Sequence, residues 1–194
     1  QSTDYHTHIK GEIDIEKYDN DLDIILPFNV LYKLINNCSS DYINFKYKKT
    51  KIEIQDDKFN YDIPLVKNIE FPKINDFTNG IKLTFKEKDL YNILSRLKKI
   101  IPNNPDNMAL GGMNIDILDN QTINFVATNK YRLYLYTYTH DKKIDINRDS
   151  LDSSIIVPKE FIKYLIKIVD NKSDNYIDVL ISNSDIKIIK KNMI

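Results

Sequence analysis

The sequence predicts an α+β protein built from repeated units, each with a strand, a helix and then a meander of antiparallel strands. Short runs of alternating apolar and polar residues recur along the 194 residues, and such alternation is typical of strands with one buried face. Three longer segments between them carry apolar residues at helical spacing. We expect the helices to lie on one face of the antiparallel sheets.

The first part of the chain predicts one helix among several strands. Residues 5–15 alternate, with isoleucines on one face, and predict a half-buried strand. A helical pattern begins at Pro27 and runs to about Asn37, because proline favours the first helical position, where its missing N–H costs nothing. Polar turns separate the next strand runs, which lie at 42–47, 51–55 and 59–65. This pattern is typical of an antiparallel meander.

The second part of the chain repeats this order twice. Thr84 and Glu87 have the spacing of a capping box and predict a helix over 87–100 with an apolar stripe. Pro158 begins a second helical pattern that runs to about Asp170. The predicted strands are 81–85, 112–118, 122–128, 131–139, 155–157, 176–181 and 186–190.

The repeat predicts a duplicated domain. The run I-I-L-P at 24–27 returns as I-I-V-P at 155–158, and a unit of about 130 residues suits a domain better than a solenoid repeat. The segment before Ile81 is irregular and contains Asn79-Gly80, a turn signal. We therefore place a domain boundary between residues 78 and 79. Because the chain opens directly into a strand pattern, we expect it to begin inside a domain.

The amino-acid composition limits the classes of function that the chain can have. The 28 basic and 28 acidic residues cancel, whereas tight nonspecific nucleic-acid binders are usually basic overall. Any nucleic-acid role must therefore depend on how the charges are distributed. Cys38 is the only cysteine, which excludes an intrachain disulfide and fits a reducing compartment. No apolar run reaches the roughly 18 residues of a membrane-spanning helix.

Candidates for metal or catalytic chemistry are weak. His6 and His8 share a strand face but form only a pair. Aspartates 19, 21 and 23 resemble the start of a calcium loop, but Ile24 stands where that loop requires glycine. Gly111-Gly112 lacks the Lys-Ser/Thr of a phosphate loop and predicts close strand packing. No nucleophile is paired with a base, so we expect no enzyme, metal or cofactor.

Residues 125–133, F-V-A-T-N-K-Y-R-L, resemble a motif of the bacterial DNA polymerase III β subunit, the sliding clamp, whose members read close to V-A-T-D-G-H-R-L. The resemblance covers essentially the whole chain. It departs at Asn129, Lys130 and Tyr131, which replace Asp, Gly and His, and at Asn107, where many members have arginine. The other matching segments are 155–158 (I-I-V-P), 110–113 (L-G-G-M), 71–72 (F-P) and 3–4 (T-D).

This resemblance implies a DNA-clamp fold and a domain assignment. Family members have three domains per chain and close as a head-to-tail dimer. Residues 1–78 would then be the second half of clamp domain 1, and residues 79–194 a nearly complete domain 2. The start of domain 1 and all of domain 3 would be missing.

The resemblance also implies that the helices line a central hole. Basic residues lie at helical spacing on the second and third helices, most regularly at positions i, i+4 and i+8 of the third, whereas the first helix offers only Lys33 with Asn29 and Asn36. Mobile ammonium groups attract phosphates without reading bases, although a merely solvated helix face would give the same pattern. The implied DNA-facing residues are Lys33, Lys88, Arg96, Lys99, Lys159, Lys163 and Lys167.

A second implied site is a pocket wall that docks short peptides. Its residues are Asn107, Leu110, Thr128, Lys130, Tyr131, Arg132 and Leu133. The leucines would supply apolar contacts and Arg132 a polar rim. Lys130 has a Cβ where the family has glycine, so we expect it to resist a positive φ. The simpler alternative is a hairpin turn that only links two strands.

The resemblance therefore predicts a cytoplasmic, nucleoid-associated sliding clamp without catalytic activity. It would encircle duplex DNA as a homodimer and tether the replicative polymerase, the clamp loader and repair proteins through short peptide motifs, with no membrane contact. The alternative is a clamp-derived, β-rich interaction module that does not close around DNA.

Overall fold

The computed structural model describes residues 2–3, 7–17, 21–67, 69–73, 77, 80–140 and 154–190. The chain divides into two compact units, 1–75 and 76–194. His6, Asp19 and the expected boundary at 78 and 79 lie outside the described residues. None of the helices in the described part has both the length and the apolar character needed to cross a membrane.

Unit 1 contains the predicted helix and meander. Strand β1 (Ser2–Thr3) pairs with β2 (His8–Ile9), and helix α1 covers Phe28–Asn37. A three-stranded antiparallel sheet follows, with β4 (Lys51–Gln55) between β3 (Asn44–Lys48) and β5 (Asn60–Pro64). Its buried core is Ile52, Ile54 and Ile63. The predicted meander is therefore confirmed.

The strand predicted at 5–15 is mostly wrong. Within the described residues only His8 and Ile9 are in a strand, and residues 10–15 are not. Ile13, which the alternation predicts to be half-buried, is 85% exposed. Alternation stabilises a strand only where a neighbouring strand completes its hydrogen bonds. In the described part of the chain the partner β1 is two residues long.

Helix α1 covers its own sheet with one face and leaves an apolar face open. The Pro27 carbonyl accepts a hydrogen bond from the Leu31 N–H at 3.1 Å, and Pro27 is the N-cap residue, one before the first helical position that the sequence predicts for it. Leu31 and Leu34 pack against the isoleucine core. Phe28 and Tyr32 stack on each other at 5.7 Å and remain exposed. Nothing in the described part of unit 1 covers this aromatic pair.

Unit 2 holds two antiparallel sheets and two helices. Strand β6 (Ile81–Lys86) leads into α2 (Glu87–Leu97), and a short 3₁₀ turn covers Met108–Leu110. The remaining elements are β7 (Gly112–Ile117), β8 (Thr122–Thr128), β9 (Leu133–Thr139), β10 (Ser154–Pro158), α3 (Lys159–Ile168), β11 (Tyr176–Ile181) and β12 (Ile186–Ile189). The sheet orders are β10-β7-β8-β9 and β12-β11-β6, and α2 contacts α3. Each predicted element is present, with ends shifted by a few residues.

The core of unit 2 follows the predicted periodicities. Alternate residues of β6 and β8 are buried, and Phe85 meets Phe125 edge to face at 5.9 Å. The predicted apolar stripe of α2, which includes Leu90 and Leu94, is buried in the same cluster. The helix and strand patterns therefore point at one core, as the α+β prediction requires.

Gly112 allows β7 and β10 to approach closely. A Cβ there would lie 2.5 Å from the Val157 carbonyl oxygen and 2.7 Å from Ile156 Cγ2. Contacts this short force the backbone to move. The interpretation of this glycine as a strand-packing residue is confirmed.

The predicted capping box is wrong. Thr84 lies opposite Asp178 in the β6–β11 ladder, and its hydroxyl donates to that carboxylate at 2.8 Å. The strand continues to Lys86, so the Thr84 side chain faces its cross-strand neighbour and not the free N–H groups of α2. The start of α2 has no side-chain cap.

Glu87 has a structural role that its sequence position does not indicate. It is 1% exposed, and its carboxylate lies 2.8 Å from the Lys190 ammonium and accepts the Asp170 N–H at 2.8 Å. Lys190 also donates to the Ile168 carbonyl at 3.0 Å. One carboxylate thus joins the start of α2, the end of α3 and the residue after β12.

We expect Glu87→Ala to lower the free energy of unfolding by about 3 kcal/mol, because removing one partner leaves the other charge buried and uncompensated. Urea denaturation followed by circular dichroism measures the change. The control is Glu160→Ala, since Glu160 pairs with Lys163 at an exposed position, where such pairs contribute at most about 1 kcal/mol. Equal losses in the two variants would contradict a special role for Glu87.

Candidate functional site

The basic stripe predicted on α2 is exposed. Lys88, Arg96 and Lys99 all face solvent, and their spacing of eight and three residues places them on one side of α2 and of the turn that follows it. The Arg96 guanidinium donates to the Tyr134 hydroxyl at 3.4 Å, a contact between α2 and β9. This stripe offers exposed cations that anionic groups can reach.

The stripe predicted on α3 is less uniform. Lys159 is half-buried; its ammonium donates to the Ile101 carbonyl and, at 2.8 Å, to Asn103 Oδ1. Burial lowers the pKa of Lys159, and the nearby Lys163 lowers it further. Lys163 is 2.5 Å from Glu160, whereas Lys167 is exposed. Of these three lysines, Lys159 therefore has a structural contact that the helical spacing does not reveal.

The stripe does not extend to α1 in the same positions. When Pro27 is matched to Pro158, Phe28 and Tyr32 occupy the places of Lys159 and Lys163. Lys33 is exposed on α1, but it corresponds to Tyr164. The helical repeat thus keeps its core positions while the side chains of the outer face change from basic to aromatic.

The turn between β8 and β9 is built around Asn129. Its side-chain oxygen accepts the N–H groups of Tyr131 at 3.2 Å and Arg132 at 2.8 Å. Its own N–H donates to the Arg132 carbonyl at 3.1 Å. An asparagine side chain that replaces a backbone acceptor in this way is a common means of forming a tight turn.

Lys130 adopts φ 74°, so the expectation that it resists a positive φ is wrong. The left-handed conformation costs a residue with a Cβ roughly 1–2 kcal/mol. The surrounding hydrogen bonds offset this cost, since the Lys130 N–H also donates to the Thr128 hydroxyl at 3.3 Å. A long side chain therefore projects from a position where the family it resembles has glycine.

The 3₁₀ turn lies beside this hairpin turn. Asn107 accepts the Ala109 N–H at 2.9 Å, so its side chain caps the 3₁₀ turn. The ammonium of Lys130 bonds to the Asp106 carboxylate, which joins the two segments. This contact lowers the pKa of Asp106. We call residues 106–110 and 128–133 together the docking surface.

Several large apolar side chains of the docking surface face solvent. Met108 and Tyr131 are each 92% exposed and Leu133 is 67% exposed. Leu110 and Thr128 are half-buried, and Arg132 is exposed. Single exposed apolar residues are common, but a cluster of them beside cations is typical of an interaction site. The structure therefore brings the seven predicted residues into two adjacent segments.

The sequence interpretation missed Asp106 and Met108. Neither belongs to a periodic segment, so no local pattern marks them. It also missed Leu135, which is exposed on the same face of β9 as Leu133. The alternation of β9 could have revealed Leu135, because residues two apart in a strand share a face.

Comparisons with known proteins agree with this architecture. The profile of the DNA polymerase III beta subunit, central domain, matches residues 84–194. No curated protein sequence matches the chain.

Solved structures of clamps have the same fold. A putative DNA polymerase III beta subunit from Eubacterium rectale aligns with a TM-score of 0.76 at 15% identity, over 87% of this chain and 45% of that one. The sliding clamp of Bacillus subtilis aligns with 0.73 at 17% identity, over 87% and 43%. The beta subunit of Thermotoga maritima aligns with 0.75 at 15% identity, over 93% and 47%. The chain spans less than half the length of these structures.

The contacts of the α3 lysines give a prediction for stability. We expect Lys159→Glu to lower the free energy of unfolding by about 1–3 kcal/mol, because it leaves the buried Ile101 carbonyl without its donor. The matched variant Lys167→Glu changes an exposed residue of the same helix and should stay within about 0.5 kcal/mol. Urea titration of both variants measures the difference, and equal stability would mean that Lys159 is as free as Lys167.

Proposed function

The chain belongs to the DNA polymerase III beta subunit family, and we propose that it is part of a sliding clamp. In this proposal it is a processivity factor without catalytic activity, which encircles duplex DNA and tethers the replicative polymerase. The observation that carries the proposal is the match of the central-domain profile to residues 84–194, together with exposed cations on α2 and an exposed apolar surface at the β8–β9 turn.

We assign residues 1–78 to the second half of clamp domain 1 and residues 79–194 to domain 2. The packing of the helices supports this assignment. In unit 2, α3 buries Ile162 and Leu165 and contacts α2. In unit 1, Leu31 and Leu34 occupy the matching positions of α1, but the described part of unit 1 contains no second helix.

The proposed DNA contact is electrostatic and independent of sequence. Lys88, Arg96, Lys99 and Lys167 are exposed cations on neighbouring helices. Flexible ammonium and guanidinium groups that meet phosphates supply attraction without base recognition. The net charge of zero suits a ring that holds DNA by enclosing it and lets it slide. The proposed DNA-facing residues also include Lys33 and Lys163. Lys159 contributes the weakest contact with DNA, because its ammonium already donates to Ile101 and Asn103.

The proposed partners are the replicative polymerase subunit, the clamp loader and repair proteins, each through a short peptide. Exposed Met108, Tyr131 and Leu133 give the docking surface apolar contacts, and Arg132 gives it a polar rim. Peptide sites of this kind obtain most of their affinity from a few such anchors. The full-length protein would form a homodimeric ring and act in the cytoplasm, on the nucleoid.

A second candidate is a clamp-derived interaction module that does not close around DNA. The aromatic pair on α1 favours it, because Phe28 and Tyr32 replace the basic residues found at the matching positions of α3. An incomplete basic lining would weaken the attraction for DNA. Ring closure distinguishes the two candidates.

We expect the full-length protein, loaded by its clamp loader, to remain on closed circular DNA and to leave after linearisation. A protein that merely binds DNA stays on both forms. The variant Lys88→Glu/Lys99→Glu/Lys167→Glu should load less well and flatten the salt dependence by about one unit of slope for each phosphate that is no longer neutralised. The control changes Lys46, Lys48 and Lys172 to glutamate, which are exposed lysines outside the stripe. Equal retention on linear and closed circular DNA would refute the clamp function. Equal loading of the two triple variants would refute the role of the basic stripe in binding DNA.

For docking, we expect Leu133→Ala to weaken the binding of a polymerase-derived clamp-binding peptide by about 1–2 kcal/mol, the usual cost of truncating an anchor. We expect Lys130→Gly to leave the affinity for an uncharged peptide equal or tighter, because glycine accepts φ 74° without strain. Isothermal titration of the full-length protein measures both effects. Leu118→Ala is the control, since Leu118 is 48% exposed and lies beyond the opposite end of β8. Unchanged affinity in Leu133→Ala would exclude this turn as the docking site.

A further inference from the structure

The β8–β9 turn of the docking surface has a lysine, Lys130, at a position whose backbone conformation favours glycine. Lys130 is the only non-glycine residue with positive φ in the described part of the chain. Glycine or asparagine is the usual residue at such a position. Here a lysine stem leaves the left-handed position and crosses from the hairpin turn to Asp106 in the neighbouring segment.

The Asp106 carboxylate on the Lys130 ammonium can be replaced by a carboxylate of a ligand. Both side chains are more than half exposed, and an exposed ion pair changes an equilibrium constant by about fivefold at most. Another carboxylate can replace that of Asp106 at the ammonium without burying either charge. The Lys130 backbone stays in place during such an exchange, because Asn129 and Thr128 hold it through their side chains.

The charges of the docking surface favour an anionic ligand. The segments 106–110 and 128–133 contain two cations, Lys130 and Arg132, and one anion, Asp106. Exposed Met108, Tyr131 and Leu133 belong to the same two segments. A ligand that matches this surface has apolar side chains for these residues and a carboxylate for Lys130.

We propose that Lys130 is a specificity-determining residue of the docking surface, which selects partner peptides that carry an aspartate or glutamate beside their apolar anchors. The partner carboxylate takes the place of Asp106 on the Lys130 ammonium, and Asp106 is released to solvent. Asp106 thus competes with acidic ligands and sets how strongly they are preferred. This inference rests on the proposed peptide-docking function and identifies the chemical class of its partners.

The test uses two short synthetic peptides with the same leucine and phenylalanine anchors, which differ by one aspartate or asparagine next to the anchors. Their affinities for the full-length protein are measured by fluorescence anisotropy at low and high salt. We expect the wild type to bind the aspartate peptide about three- to fivefold more tightly at low salt, with the difference reduced at high salt. Lys130→Gln should remove the difference in affinity between the two peptides, and Lys130→Arg should keep it.

The variant Asp106→Asn distinguishes displacement of Asp106 by the ligand carboxylate from simple attraction of that carboxylate to Lys130. If Asp106 competes with the ligand, this variant should increase the preference for the aspartate peptide over the asparagine peptide by a further two- to fivefold, on the order of one exposed ion pair. Circular dichroism checks the fold of each variant, and glutamine has the same steric demand as lysine at φ 74°. A preference for aspartate that survives in Lys130→Gln, or an affinity that Asp106→Asn does not change, would overturn the proposal.

Failure of this inference differs from failure of the docking function. If both peptides bind equally well and Leu133→Ala weakens both, the docking site stands and the charge selection by Lys130 is refuted. If neither peptide binds, or if Leu133→Ala has no effect on either, the docking function itself is refuted, and the proposed role of Lys130 with it.

Discussion

The buried contact between Glu87 and Lys190 joins the start of α2 to the end of α3 in unit 2. A carboxylate that is 1% exposed is tolerated only if its charge and its oxygens are satisfied, and Glu87 meets that requirement with the Lys190 ammonium and the Asp170 N–H. Its own N–H donates to the Asn175 carbonyl at 2.9 Å. The helices that carry the basic stripes are therefore anchored at one end by the same group.

A second constraint acts at the β8–β9 turn, where polar side chains enforce an unfavourable backbone conformation. Asn129 supplies an acceptor for two N–H groups, and the Thr128 hydroxyl supplies one for a third. These bonds hold Lys130 at φ 74°. In the family that the chain belongs to, glycine would take this conformation without help. Here the hydrogen bonds of Asn129 and Thr128 accompany a lysine in this conformation, and its charged side chain projects from the turn.

The two units show how a repeated framework changes its surface. Leu31 and Leu34 of α1 match Ile162 and Leu165 of α3, and both pairs face their own sheets. The outer positions differ, with Lys159 and Lys163 in α3 and Phe28 and Tyr32 in α1. Core positions are restricted by close packing, whereas outer positions are restricted only by what they meet. Apolar residues at helical spacing therefore predict the fold well. Basic residues at helical spacing predict a function less well.

The sequence by itself determined most elements of this protein and the apolar faces of its two cores, because local periodicity, the prolines before the helices and the turn residues all express short-range physics. It also identified Gly112 as a packing glycine and the Thr128 to Leu133 turn as the main candidate site. It did not predict that residues 10–15 stay out of a strand, since strand formation depends on a partner. Only the tertiary structure decided the roles of Glu87, Lys159 and Asp106, whose partners Lys190, Ile101 and Lys130 are remote in the chain. The physical reason is that a charged side chain looks the same in sequence whether it is solvated, buried or paired, and long-range packing alone selects among these states.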